Sequence, residues 1–134
     1  NFLELSNPAA SGRTLRVTLQ MLCKPSVLIR WRVRKQSTLD SGGTSTTPTP
    51  VPLDAVNVAT VGIVKLYTVA PTLGTLVGNI WSQNVSGGDI VEDDPGINSP
   101  LTKPIVLAAG QSVAWNSDVA FTAQGVIEFT DDVS

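Results

Sequence analysis

Residues 26–36, Ser-Val-Leu-Ile-Arg-Trp-Arg-Val-Arg-Lys-Gln, constrain the fold more than any other stretch of this chain. Val27, Ile29, Trp31 and Val33 share one parity, and Arg30, Arg32 and Arg34 the other. Side chains alternate between the two faces of a β-strand, so the pattern predicts a half-buried strand with three guanidinium groups on its outer face. Residues 14–22 repeat it: Leu15, Val17, Leu19 and Met21 point one way, Arg16, Thr18 and Gln20 the other. Only Cys23-Lys24-Pro25 separates the two stretches, as expected at the start of an antiparallel sheet with one wet face.

The remaining chain supports the same class. Gly and Pro together supply 20 of 134 residues and charged residues only 15%, and no long Ala-, Leu-, Glu- and Lys-rich run suggests a helix. Further strands are expected at 59–69, 73–83, 104–108, 112–116 and 122–130, with a short one at Ile90-Val91. Ala70-Pro71-Thr72, Ser86-Gly87-Gly88 and Ala109-Gly110-Gln111 are the turns between them. Seven to eight short strands at this spacing predict an all-β antiparallel β-sandwich, a jelly-roll or a related Greek key.

Residues 1–12 read as an N-terminal arm that orders only against a partner, and 13–134 as one sandwich domain. Within it, 37–54 is an extended excursion rich in Pro, Thr and Gly. Pro48, Pro50 and Pro52 alternate with Thr49 and Val51, which enforces a polyproline-like backbone and bars a central strand. Such a segment suits reaching across to another sheet or over a neighbouring subunit.

Composition removes most chemistry. The chain has no histidine, which takes away the commonest general base and metal ligand. The single Cys23 can form neither an internal disulfide nor a zinc site and is expected to be a small buried hydrophobe. Asp89, Glu92, Asp93 and Asp94 form an acidic loop without the register of an EF-hand, best read as solvated, with a structural calcium as the alternative. Trp31 and Trp115 share parity with aliphatic neighbours and are expected in the core; the parity of Trp81 is less defined. No cofactor is called for, and an enzyme is not expected. There is no apolar window long enough for a membrane-spanning helix, and the first residues do not read as a signal peptide.

Charge is distributed unevenly. Residues 1–36 carry seven basic groups against Glu4, a balance of +6, and residues 37–134 carry two against ten acids, a balance of −8. This predicts a polar subunit with one region for an acidic neighbour and another for a basic one. Nucleic acid is not the expected partner of Arg30, Arg32 and Arg34, because the sequence pI is about 4.8 and Trp31 faces the core rather than a base.

Two stretches resemble small all-β bacteriophage proteins that decorate or cement capsids. They are Thr46-Thr-Pro-Thr-Pro-Val-Pro-Leu-Asp54 with the Ala/Val-rich strand after it, and Ile105-Val-Leu-Ala-Ala-Gly-Gln-Ser-Val-Ala114 with the closing Gly125-Val-Ile-Glu-Phe129. Together they cover about a third of the chain. The resemblance implies a virion structural protein on the outer capsid surface, partnered by the major capsid protein and by copies of itself, with a trimer favoured. It implies no catalytic residue, and the acidic 89–94 segment departs from the family pattern. The expected contact residues are Arg30, Arg32, Arg34, Pro48, Pro50 and Pro52. The alternative is a glycan- or receptor-binding sandwich of a phage tail fibre, tailspike or adhesin, which would need an exposed tryptophan.

Overall fold

The computed structural model describes residues 1–23, 26–52, 59–85, 91–93, 104–119 and 123–133. Among them are ten strands: β1 (Leu3–Ser6), β2 (Arg13–Cys23), β3 (Ile29–Gln36), β4 (Thr44–Thr46), β5 (Ile63–Val69), β6 (Leu76–Val85), β7 (Val91–Asp93), β8 (Ile105–Leu107), β9 (Ser112–Ser117) and β10 (Ala123–Val133). Every pairing is antiparallel. One sheet has six strands in the order β4-β5-β1-β9-β3-β6; the other has four, with β10 on one side of β2 and β7 and β8 on the other.

The inward parities of both sheets meet in one core, which makes the fold a β-sandwich. Leu3, Leu5, Ile29, Trp31, Val33, Val64, Val113 and Trp115 come from the larger sheet, and Leu15, Val17, Ile105 and Leu107 from the smaller. Trp31 and Trp115 are buried at 2% and 0% exposure, as their parity predicts. Phe2 tilts onto Trp31 with ring centroids 5.5 Å apart. Val27 does not join its parity mates. It precedes β3, in the turn, and is exposed together with Leu28.

Residues 3–6 are not a free arm. They are β1, hydrogen-bonded between β5 and β9, with Leu3, Glu4, Leu5 and Ser6 all buried. Leu-Glu-Leu-Ser is too short for its alternation to stand out, and its two polar side chains face a covered surface rather than water. Asn7 then ties the sheets together, donating from Nδ2 to the carbonyls of Arg13 (2.8 Å) and Leu107 (3.0 Å). Gly110, at φ +82, turns β8 into β9 and donates its N–H to the Asn7 carbonyl.

The strand count exceeds the expected seven to eight because β1 lies in the supposed arm and β4 in the Pro-rich excursion. How β4 arrives there sets the architecture of the outer face. After β3 the chain leaves one side of the six-stranded sheet and reaches the opposite edge by Thr44. Four strand spacings are about 19 Å, and eight extended residues span up to about 26 Å, so the passage can cross the sheet with the bends it makes at 37–38 and 42–43. Residues 70–75 return alongside it. Ser41 and Thr72 exchange backbone hydrogen bonds, and Ser37 N–H donates to the Thr75 carbonyl. The result is a two-stranded strap across the outer face of the sheet, over β9 and β1.

Candidate docking surface

Period-two alternation places the arginines of β3 on the outer face of the six-stranded sheet, beside the strap. Arg30 is exposed, and Arg32 and Arg34 are half-buried. Cross-strand neighbours are uncharged: Arg32 lies between Asn116 of β9 and Ser82 of β6, Arg34 between Ala114 and Asn79, and Arg30 beside Asn84. Alternate residues along a strand are about 6.6 Å apart, so the three stems form an evenly spaced row. Among the described residues the ion pairs are Arg13 with Asp131 (3.9 Å) and Arg16 with Asp132, and neither involves this row. The Nε atoms of Arg32 and Arg34 are shielded from solvent and have no hydrogen-bond partner among the described residues. Asp118, close by, accepts from the backbone N–H of Arg30 (2.8 Å).

Such a row is able to pair with carboxylates. A guanidinium presents five N–H donors in a planar fork and remains charged at any working pH. A carboxylate brought to the exposed part of such a fork gains charge-assisted hydrogen bonds there.

Pro48, Pro50 and Pro52 lie elsewhere. They follow β4, at the far edge of the sheet from β3, so the structure does not bring them together with the arginine row. Pro48 and Pro52 are exposed and Pro50 is half-buried. Of the acidic segment, Glu92 and Asp93 belong to β7, while Asp89 and Asp94 lie outside the described residues. No group of His, Cys, Asp or Glu with the geometry of a metal site occurs among the described residues. The side chains of Trp81 and Cys23 also lie outside what is described.

The strap covers a polar cluster that sequence inspection misses. Asp40 Oδ1 accepts from Gln36 Nε2 and from Gly74 N–H, both at 2.8 Å, and Oδ2 accepts from Asn1 Nδ2 at 2.7 Å. The Asp40 N–H donates to Glu4 Oε1 (2.8 Å), and Tyr67 Oη donates to Glu4 Oε2 (3.2 Å). Gln36 Nε2 also reaches Ser112 Oγ, and Asn116 Nδ2 reaches Asn1 Oδ1. Burial raises the pKa of Glu4 above its ordinary value of 4.5, an effect opposed by the Asp40 N–H and reinforced by the Asp40 charge. Burial and the two carboxylates push the Tyr67 hydroxyl up as well, which keeps it a neutral donor.

Two carboxylates in one place invite an acid-base reading, yet Glu4 is 0% exposed and Asp40 4%. All four of their oxygens accept hydrogen bonds from within the protein, so the cluster seats the strap and offers no face to a substrate. No signal in the sequence could have found it, because its members are scattered from Asn1 to Asn116.

No family model, curated protein or solved structure matches this chain.

Proposed function

We propose that this chain is a structural subunit of a virion: a decoration or cement protein that docks on the outer surface of the capsid, partnered by the major capsid protein. The observation that carries the reading is the arginine row of β3, three evenly spaced cations whose side chains make no ion pair among the described residues, Asp118 meeting only the Arg30 backbone N–H. A folded domain that sets three guanidinium groups side by side is suited to a surface that supplies the carboxylates. An exposed ion pair contributes only about 0.2–1 kcal/mol. Stable occupancy therefore requires several contacts at once, which an oligomer, a trimer being the simplest at a three-fold lattice point, would provide through avidity. The reading is non-catalytic: the two buried carboxylates are occupied in holding the strap.

The glycan-binding alternative gains no support from Trp31 and Trp115, which are closed inside the core.

Charge reversal tests the proposal. The Arg30→Glu/Arg32→Glu double variant is expected to keep the wild-type unfolding midpoint but lose occupancy on particles stripped of the native protein. Wild-type occupancy should fall as salt is raised, as it must for partly exposed pairs. Full occupancy by the double variant would refute the assignment.

A further inference from the structure

Two long strands have one side with no partner among the described residues. β6 ends the six-stranded sheet beyond β3, and β10 ends the four-stranded sheet beyond β2. A free edge presents unpaired N–H and C=O groups, and proteins guard long edges with Lys, Pro, bulges or a covering segment. Such guards are sparse on β6; β10 carries three acids, and Thr60 and Val61 bond to the Asp131 side chain beside it. β6 contains neither a charged residue nor a proline. Its two register shifts fall in its first half, leaving Trp81–Val85 in unbroken register with Val33–Ile29. β10 has no Lys, Arg or Pro and pairs with β2 without a shift along its whole length.

The charges beside the two edges are opposite. On the outer face of β6, Ser82 and Asn84 are small, exposed and flanked by Arg32 and Arg30. On the outer face of β10, Glu128, Thr130 and Asp132 are exposed. Asp132 is engaged by Arg16, whereas Glu128 has no described cation within ion-pair distance. The edges also lie on opposite flanks of the sandwich. Thr60 and Val61 bond to Asp131 of β10, and Gly62 abuts Phe129 just before β5 begins. This sets β10 toward the β4–β5 flank, while β6 forms the other.

We propose that β6 of one copy pairs with β10 of a second copy, head to tail, linking subunits into rings or open rows. An added strand lies about 4.8 Å from β6 and about 9.6 Å from β3. Across the short Ser82 and Asn84, its Glu128 comes within reach of Arg30 or Arg32. One free carboxylate meets one arginine, and the other two arginines of the row remain available for docking. The like pairings lack this attraction: two β6 edges bring arginine rows together with no carboxylate between, and two β10 edges oppose their own acids. Contact between unlike patches is heterologous, which closes into rings or extends indefinitely. The proposal stands apart from the virion reading and uses only copies of this chain.

Cysteine cross-linking tests it, in a background carrying Cys23→Ser. Protein with Ser82→Cys or Asn84→Cys is mixed with protein carrying Thr130→Cys and oxidised, after each variant is shown to unfold at the background midpoint. Disulfide dimers are expected in the mixtures and not in any component alone. Sedimentation of the otherwise native chain should show concentration-dependent association, weakened about tenfold or more by Glu128→Arg and regained when Arg30→Glu or Arg32→Glu is added. Dimers formed by the Ser82→Cys or Asn84→Cys protein alone would overturn the proposal in favour of like edges. A chain that sediments as a monomer at every concentration would overturn it outright.

Discussion

Glu4 shows how one residue ties the folding of this chain to its chemistry. It sits on the outward parity of β1, where a carboxylate ought to meet water, and is enclosed because the strap lies over it. Its raised pKa means that the folded protein holds a proton more tightly than the unfolded chain does. Its contribution to stability is therefore fully present below the ordinary value of 4.5 and is lost as pH rises through the higher folded value. Urea unfolding should accordingly show the wild type weakening over that interval. Glu4→Gln, which keeps an acceptor for the Asp40 N–H, should remove the decline. An identical pH slope in both proteins would mean that the titrating group is another. The arginines of β3 lie at the opposite extreme of legibility. Their parity is visible in eight consecutive residues, and the structure places all three on the outer face.

Among the elements, the strap departs furthest from what patterning can reveal. Residues 37–43 have no periodicity, because their partners are residues 70–75 and the polar outer faces of β9 and β1 rather than an apolar core. Gly74 reports how closely it is seated: a Cβ there would stand 2.1 Å from the Thr38 carbonyl oxygen and 2.6 Å from Gln36 Nε2. Gly74→Ala is thus expected to cost about 1–3 kcal/mol of unfolding free energy, the usual range for overpacking a tight site. Wild-type stability in that variant would show that the strap does not rest on the sheet. Every strand but β1 and β4 was legible from an apolar parity or from the turns that bound it, with β7 one to two residues further on than expected. β1 escaped because four residues give only two apolar positions and both its faces are covered. Thr-Ser-Thr of β4 escaped because it has no apolar face at all: it is an edge strand held by main-chain pairing with β5.

For the molecule as a whole, the uneven charge along the sequence is only partly an arrangement in space, because Arg13 and Arg16 of the basic stretch pair with Asp131 and Asp132 of β10. The β3 arginines, which make no ion pair among the described residues, lie near the β6 edge of the larger sheet, and the exposed Glu128 lies on β10, the edge strand of the smaller. Under the two proposals, a sandwich of this kind offers a cationic face to one neighbour and Glu128 of β10 to another. In the proposed row the smaller sheet of one copy continues the larger sheet of the next, so alternate copies turn their arginine rows to a given surface, and weak pairs there would add through avidity. The Pro48–Pro52 segment, on the far flank, is separate from that contact. The measurement that tests the virion assignment most directly is the copy number of this chain per particle, by quantitative mass spectrometry of purified virions from its source. Copies in fixed lattice proportion to the major capsid protein are expected; absence from the particle, or a few copies confined to a tail, would contradict the assignment.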